Sequence, residues 1–248
     1  MPHGVSEWRK EPAVPARRLL VWVLLVEVAL VVVAIAIGHM GGDMEQQFAE
    51  GGMITWWSVL QLLIAAALSL RLRSIRSAQS AARLLRSPRV LWGIAAVGLL
   101  FLAFDEAAQI HETLDLQIHD VLSIRETAAT DRIDDIIVGC YVLIAAGILY
   151  HFREEWRTYV VRSPYLKAGL VLTLLMVGLD LVTNRDDLVF SAIADPALAL
   201  RVQRSLAVAE DALKVFAEGL FILAFVDWIR MACGKRNGSR AHPRLYGG

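Results

Sequence analysis

Six apolar blocks, each long enough to carry a helix across a bilayer, constrain this chain more than any other feature. They run Leu19–Ile37, Met53–Leu70, Val90–Ile110, Ile133–Tyr150, Tyr165–Thr183 and Leu206–Ile229. A helix needs about 20 residues to cross roughly 30 Å of hydrocarbon. Lipid offers a free backbone amide no partner, so each block must be helical; barrel strands would alternate in polarity and be about half as long. The blocks therefore predict an all-α polytopic membrane helix bundle of about six transmembrane helices. The expected division is an N-terminal tail over 1–18, the helical domain over 19–230 and a C-terminal tail over 231–248. A 56% hydrophobic composition and a mean hydropathy of +0.51 agree, since soluble domains lie nearer 45–50% apolar.

The connections predict orientation. Arg9, Lys10, Arg17 and Arg18 precede the first block, and Arg71, Arg73, Arg76, Arg83, Arg86 and Arg89 lie around the second connection, which holds no acid. Arg153, Arg157, Arg162 and Lys167 surround the fourth, and Arg230, Lys235, Arg236, Arg240 and Arg244 follow the last block. These are most of the 25 basic residues. Asp43, Glu45 and Glu50 occupy the first connection, and a dense acidic run from Glu112 to Asp135 fills the third. The positive-inside rule then places both tails in the cytoplasm of an inner-membrane protein. The first apolar run is too long for a secretory h-region and is expected to remain as a helix. Trp22, Trp92, Trp228, Trp56 and Trp57 fall near block ends, where interfacial anchors are expected. Cys140 and Cys233 suggest neither a disulfide framework nor a metal pair.

Charged residues inside the blocks carry the functional signal. Glu27, Asp105, Glu106, Asp180, Glu210, Asp211, Lys214 and Glu218 lie within them or at their edges. Each would cost about 2.5–3.5 kcal/mol at the bilayer centre, so they are expected to face the bundle interior. Apart from Glu27, they fall in the non-cytoplasmic halves of the third, fifth and sixth helices. Lys214 stands four residues from both Glu210 and Glu218, spacing that offers an ion pair along one helix. Asp195-Pro196 reads as an N-cap and first helical residue. The third helix is expected to overrun the membrane, with Ile110, Leu114, Ile118 and Val121 forming an apolar stripe. Asp131, Asp134 and Asp135 complement the start of the fourth helix.

The third block ends in Asp105-Glu106-Ala107-Ala108-Gln109-Ile110-His111-Glu112, with Asp105, Glu112 and His119 on one face. Carboxylate and imidazole together suit zinc, iron or manganese. The segment resembles a signature of uncharacterised multi-pass bacterial membrane proteins. It is also loosely similar to the aspartate-glutamate pair of the alkaline ceramidase and progestin-receptor superfamily of membrane hydrolases, which implies that Asp105 and Glu106 belong to a site.

The leading expectation is a metal-dependent membrane hydrolase acting on a lipid or small amphiphile. Asp105, His111, Glu112, Asp180, Glu210 and Asp211 would supply the metal ligands, and Glu106, Glu218 and Lys214 the catalytic groups. A proton- or cation-coupled transporter, or a subunit of one, and a non-catalytic membrane subunit are the alternatives. Membrane lipids are the expected contacts. Nucleotide-binding loops are missing, and the arginine-rich connection is a topology signal rather than a nucleic-acid surface.

Overall fold

The computed structural model describes residues 16–42, 44–77, 87–123, 133–183 and 186–240. Much of both tails, including Arg9, Lys10 and Arg244, lies outside them, as do Asp43, Arg83, Arg86, Asp131 and Arg185. The described residues form helices and turns, with no strand among them. These are α1 (Ala16–Gly41), a 3-10 turn (Met44–Gln47), α2 (Met53–Ser77), α3 (Pro88–Ala108), α4 (Ile110–Leu122), α5 (Ile133–His151), α6 (Arg153–Val160), α7 (Pro164–Thr183), α8 (Asp186–Ala192) and α9 (Pro196–Arg240).

By length and composition α1, α2, α3 and α7 can each cross a membrane, four of the six expected; α5 and α6 are long and apolar enough only when taken together, and a 97° bend separates them. Their outward sides agree. Val32, Leu143 and Leu174 are 57%, 72% and 72% exposed, as apolar side chains facing lipid would be. At 1.5 Å per residue, the 45 residues of α9 extend about 68 Å. Glu210, Asp211, Lys214, Glu218 and Asp227 interrupt its apolar run, so composition alone does not mark it as a span.

Packing explains how α9 carries those charges. It is the central helix, lying against α7, α2 and α1, while α2 also packs along α3. Small residues allow the close approaches. A Cβ at Gly169 would stand 2.6 Å from the Phe221 ring and 3.3 Å from the Ala217 carbonyl, which seats α7 on α9. α5 is peripheral and leans on α3 through an edge-to-face contact of Tyr141 with Phe101, 5.1 Å between centroids.

The two ends of the bundle differ in chemistry. At the arginine-rich end, Trp92, Tyr159, Phe225 and Trp228 are buried together, with Trp92 5.5 Å from both Tyr159 and Trp228. Arg76 makes two 2.8 Å bonds to Glu155, which tie α6 beneath α2. Trp92 and Trp228 are therefore core residues, not interfacial anchors. Trp22 and Trp56 remain exposed, as anchors should be, whereas Trp57 turns inward.

Local structure departs from expectation at the end of α3 as well. α3 does not run on through Ile110: Gln109 adopts a left-handed backbone (φ 54°, ψ 47°) with its N–H on the Asp105 carbonyl, and a separate helix begins. In α4 the polar side is the inward one: Asp115 and His119 are buried, while Leu114 and Val121 of the apolar stripe are 38% and 80% exposed. The Asp195–Pro196 start of α9 holds, with Asp195 Oδ1 accepting from Ala197 N–H at 2.9 Å.

Candidate functional site

The acidic end is built where α3, α4, α9 and the α1–α2 loop converge. Glu106 on α3 and Lys214 on α9 project across the gap and meet at 2.7 Å, and Asp211 Oδ1 stands 3.4 Å from the same ammonium. This corrects the pairing of Lys214 with Glu210 and Glu218. The lysine reaches between helices to Glu106 and back one turn to Asp211, while those two glutamates take hydroxyl donors. Thr183 Oγ1 donates to Glu210 Oε2 at 2.9 Å, and Ser58 Oγ to Glu218 Oε1 at 2.8 Å. Asp180 lies within electrostatic reach of both Glu210 and Asp211.

The α3–α4 break gives the site its second part. The turn at Gln109 folds His111 back onto Asp105. Asp105 Oδ1 accepts from the His111 backbone N–H at 3.1 Å, and Oδ2 lies 3.0 Å from His111 Nδ1. A non-glycine residue in the left-handed region costs about 1–3 kcal/mol and persists only where its surroundings hold it. Here the Gln109 side chain donates to Glu50, fastening the break to the loop before α2. With Nδ1 occupied by Asp105, the other ring nitrogen of His111 is left for a ligand, the arrangement by which a carboxylate orients a metal-binding histidine.

Glu50, His111 and Glu112 can hold a metal ion, since each offers a ligand atom and these atoms lie within 4.8 Å of one another. Neighbouring groups that displace water raise the Glu50 carboxyl above its usual range, although the residue stays exposed; the nearby Glu106 adds to the rise, and His111 and Lys214 oppose it.

The expected ligand set thus divides. His111 and Glu112 join Glu50, Asp105 holds His111 from behind, and Asp180, Glu210 and Asp211 gather on the α7–α9 side. Of the expected catalytic groups, Glu106 and Lys214 adjoin this site, while Glu218 lies a helical turn beyond Lys214 along α9. Sequence reasoning used Glu50 only for topology. The shortness of the first connection was the one hint that this acid must return to the bundle rim.

A helical bundle with membrane-crossing helices, gathering acids, a histidine and a lysine at one end, defines a polytopic membrane protein with an internal polar site. The chain belongs to the family described as Domain of unknown function (DUF8692), whose model matches residues 18–229. Comparison with curated proteins and with solved structures gives no match.

Proposed function

We propose that this protein is a metal-dependent hydrolase of the bacterial inner membrane, acting from the periplasmic side on a lipid or small amphiphile. The observation that carries the reading is the convergence of Glu50, His111 and Glu112 within 4.8 Å, with Asp105 orienting the histidine. Three protein ligands leave coordination positions open for water and substrate, the arrangement of a catalytic rather than a structural zinc site. A bound divalent ion, zinc, iron or manganese, would lower the pKa of its water to about 7. Glu106 is the nearer acid to accept that water's proton, because it stands within electrostatic reach of Glu50 and is anchored by Lys214. Lys214 is then a positioning residue. Glu218, hydrogen-bonded to Ser58 deeper in the bundle, is not placed to serve as base.

Two observations support an end-on site over a through-going pathway. Polar groups collect at the acidic end, and the aromatic cluster around Trp92 closes the arginine-rich end. The outward apolar side of α4 also suits the membrane interface, which supports a lipid headgroup as the substrate's reacting part.

The test combines elemental analysis of detergent-purified protein with a hydrolysis assay on phosphatidylethanolamine–phosphatidylglycerol and ceramide vesicles. About one ion per chain is expected, with product formation that stops on chelation and resumes when zinc or manganese is restored. His111→Ala and Glu50→Gln should each release the ion. Protein without a stoichiometric ion refutes the metal site; bound ion without metal-dependent product from these lipids refutes the lipid-hydrolase reading.

A further inference from the structure

Deeper acids, apart from the metal ligands proposed above, meet where α1, α2 and α9 touch. Glu27 is 1% exposed. Its Oε1 accepts from Gln61 Nε2 at 2.6 Å and its Oε2 from Trp57 Nε1 at 2.9 Å. The close approach depends on Gly219, where a Cβ would stand 2.8 Å from Glu27 Oε1 and 3.3 Å from Gln61 Nε2. Gln61, 2% exposed, also directs Nε2 at the Val215 carbonyl, 3.3 Å away. Two acceptors around that nitrogen fix the orientation of the amide, and its carbonyl Oε1 is then sealed from solvent with no donor.

The same seam holds a second orphan. Glu218 Oε1 accepts from Ser58, but Glu218 Oε2 is sealed without a partner. Ser58 and Gln61 are three residues apart on α2, and Val215 and Glu218 three apart on α9. Both orphaned acceptors therefore belong to the same α2–α9 contact. Buried acceptors without donors are rare and ask for an explanation. A single hydrogen on Glu218 Oε2 answers both, because a carboxylic acid O–H can donate and Gln61 Oε1 is the acceptor lacking a donor. The charged groups facing Glu218 leave room for this. Lys214 on its own helix is engaged by Glu106 of α3 and by Asp211, and the acid it faces from α1 is Glu27. α2 presents Ser58 and Gln61, and on α7 Asp180 faces Glu210 and Asp211 instead.

We propose that Glu218, with Ser58, Gln61 and Glu27, forms a proton-binding site inside the membrane, in which Glu218 carries the proton as a neutral acid donating to Gln61. The proton exchanges with the chamber around Lys214 and Glu106, the aromatic cluster closing the opposite direction. None of the proposed metal ligands belongs to this site, so it stands or falls separately from the hydrolase reading.

Infrared difference spectroscopy of the full chain in phosphatidylcholine vesicles, between H2O and D2O and across pH, tests it. At neutral pH a protonated-carboxyl stretch is expected, lost in Glu218→Gln and moved to higher frequency in Gln61→Leu, where the acid loses its acceptor. Absence of the band from the parent protein at neutral pH would overturn the proposal, as would its survival in Glu218→Gln. Loss of the band on sodium addition at constant pH would also overturn it, because a metal ion would then be the occupant.

Discussion

At the residue scale, cost divides what was readable from what was not. Asp105, Glu106, Asp180 and Lys214 stood out because no lipid-facing position could hold them, and each is at least partly withdrawn from the surface. Glu50 and Gln109 gave no such signal. A loop glutamate is ordinary, and a left-handed glutamine has no marker comparable to glycine, yet these two place the metal-capable group. Asp105→Asn keeps its size but orients His111 with a weaker acceptor, so metal affinity should fall about 10–100-fold, read by competition with a chromogenic chelator. Unchanged affinity would mean that Asp105 does not orient a ligand. Acidity should act through Glu50. Its carboxyl is raised, chiefly by local desolvation, so it takes up a proton at higher pH than an ordinary glutamate. Metal affinity should therefore begin to fall above the usual carboxylate range as pH is lowered. In the metal-free protein Glu50 contributes the opposite trend: it favours the fold at low pH, and that contribution is lost as pH rises through its raised pKa. Affinity titrations with and without Glu50→Gln check the sign, and identical profiles would remove Glu50 from the site.

At the element scale, hydrophobic length predicted the helices well and their sides less well. The apolar blocks gave the cores of α1, α2, α3, α5, α7 and α9, because spanning length is a strong physical constraint. Missed were α6, whose charged sequence reads as a connection, and the break at Gln109, which no glycine or proline announces. The stripe in α4 was legible but the side it would face was not, since burial in a membrane protein can favour the polar face when lipid takes the apolar one. Tryptophans behaved likewise: position near a block end does not tell an anchor from a core residue. Trp92, 3% exposed at the centre of the aromatic cluster, should cost about 3–5 kcal/mol on truncation to alanine. Trp22, 65% exposed, should cost within about 0.5 kcal/mol. Thermal unfolding in detergent compares them, and equal losses would contradict the closed arginine-rich end.

At the scale of the whole molecule, opposite ends of one bundle hold opposite chemistry. Arginines and aromatic packing lie at one end, and acids, histidine and lysine at the other. The charge alternation between blocks made this polarity legible before any packing was known; which acids would touch was not, because side-chain reach across helices is set by tertiary geometry. The positive-inside rule predicts the orientation, and labelling tests it. In a background lacking Cys140 and Cys233, Glu45→Cys should react with an impermeant maleimide on intact spheroplasts, and Ser77→Cys only after permeabilisation. The reverse pattern would invert the topology.

The central claim is that charges too costly for lipid are turned inward and share one chamber, and the Glu106–Lys214 contact at 2.7 Å is its closest expression. A double-mutant cycle with Glu106→Gln and Lys214→Met, followed by unfolding in detergent, measures that contact directly. The account predicts a coupling of about 0.5–3 kcal/mol, with the double variant less damaged than the single losses together imply. Strictly additive losses would mean that the two side chains do not meet, and would contradict the chamber itself.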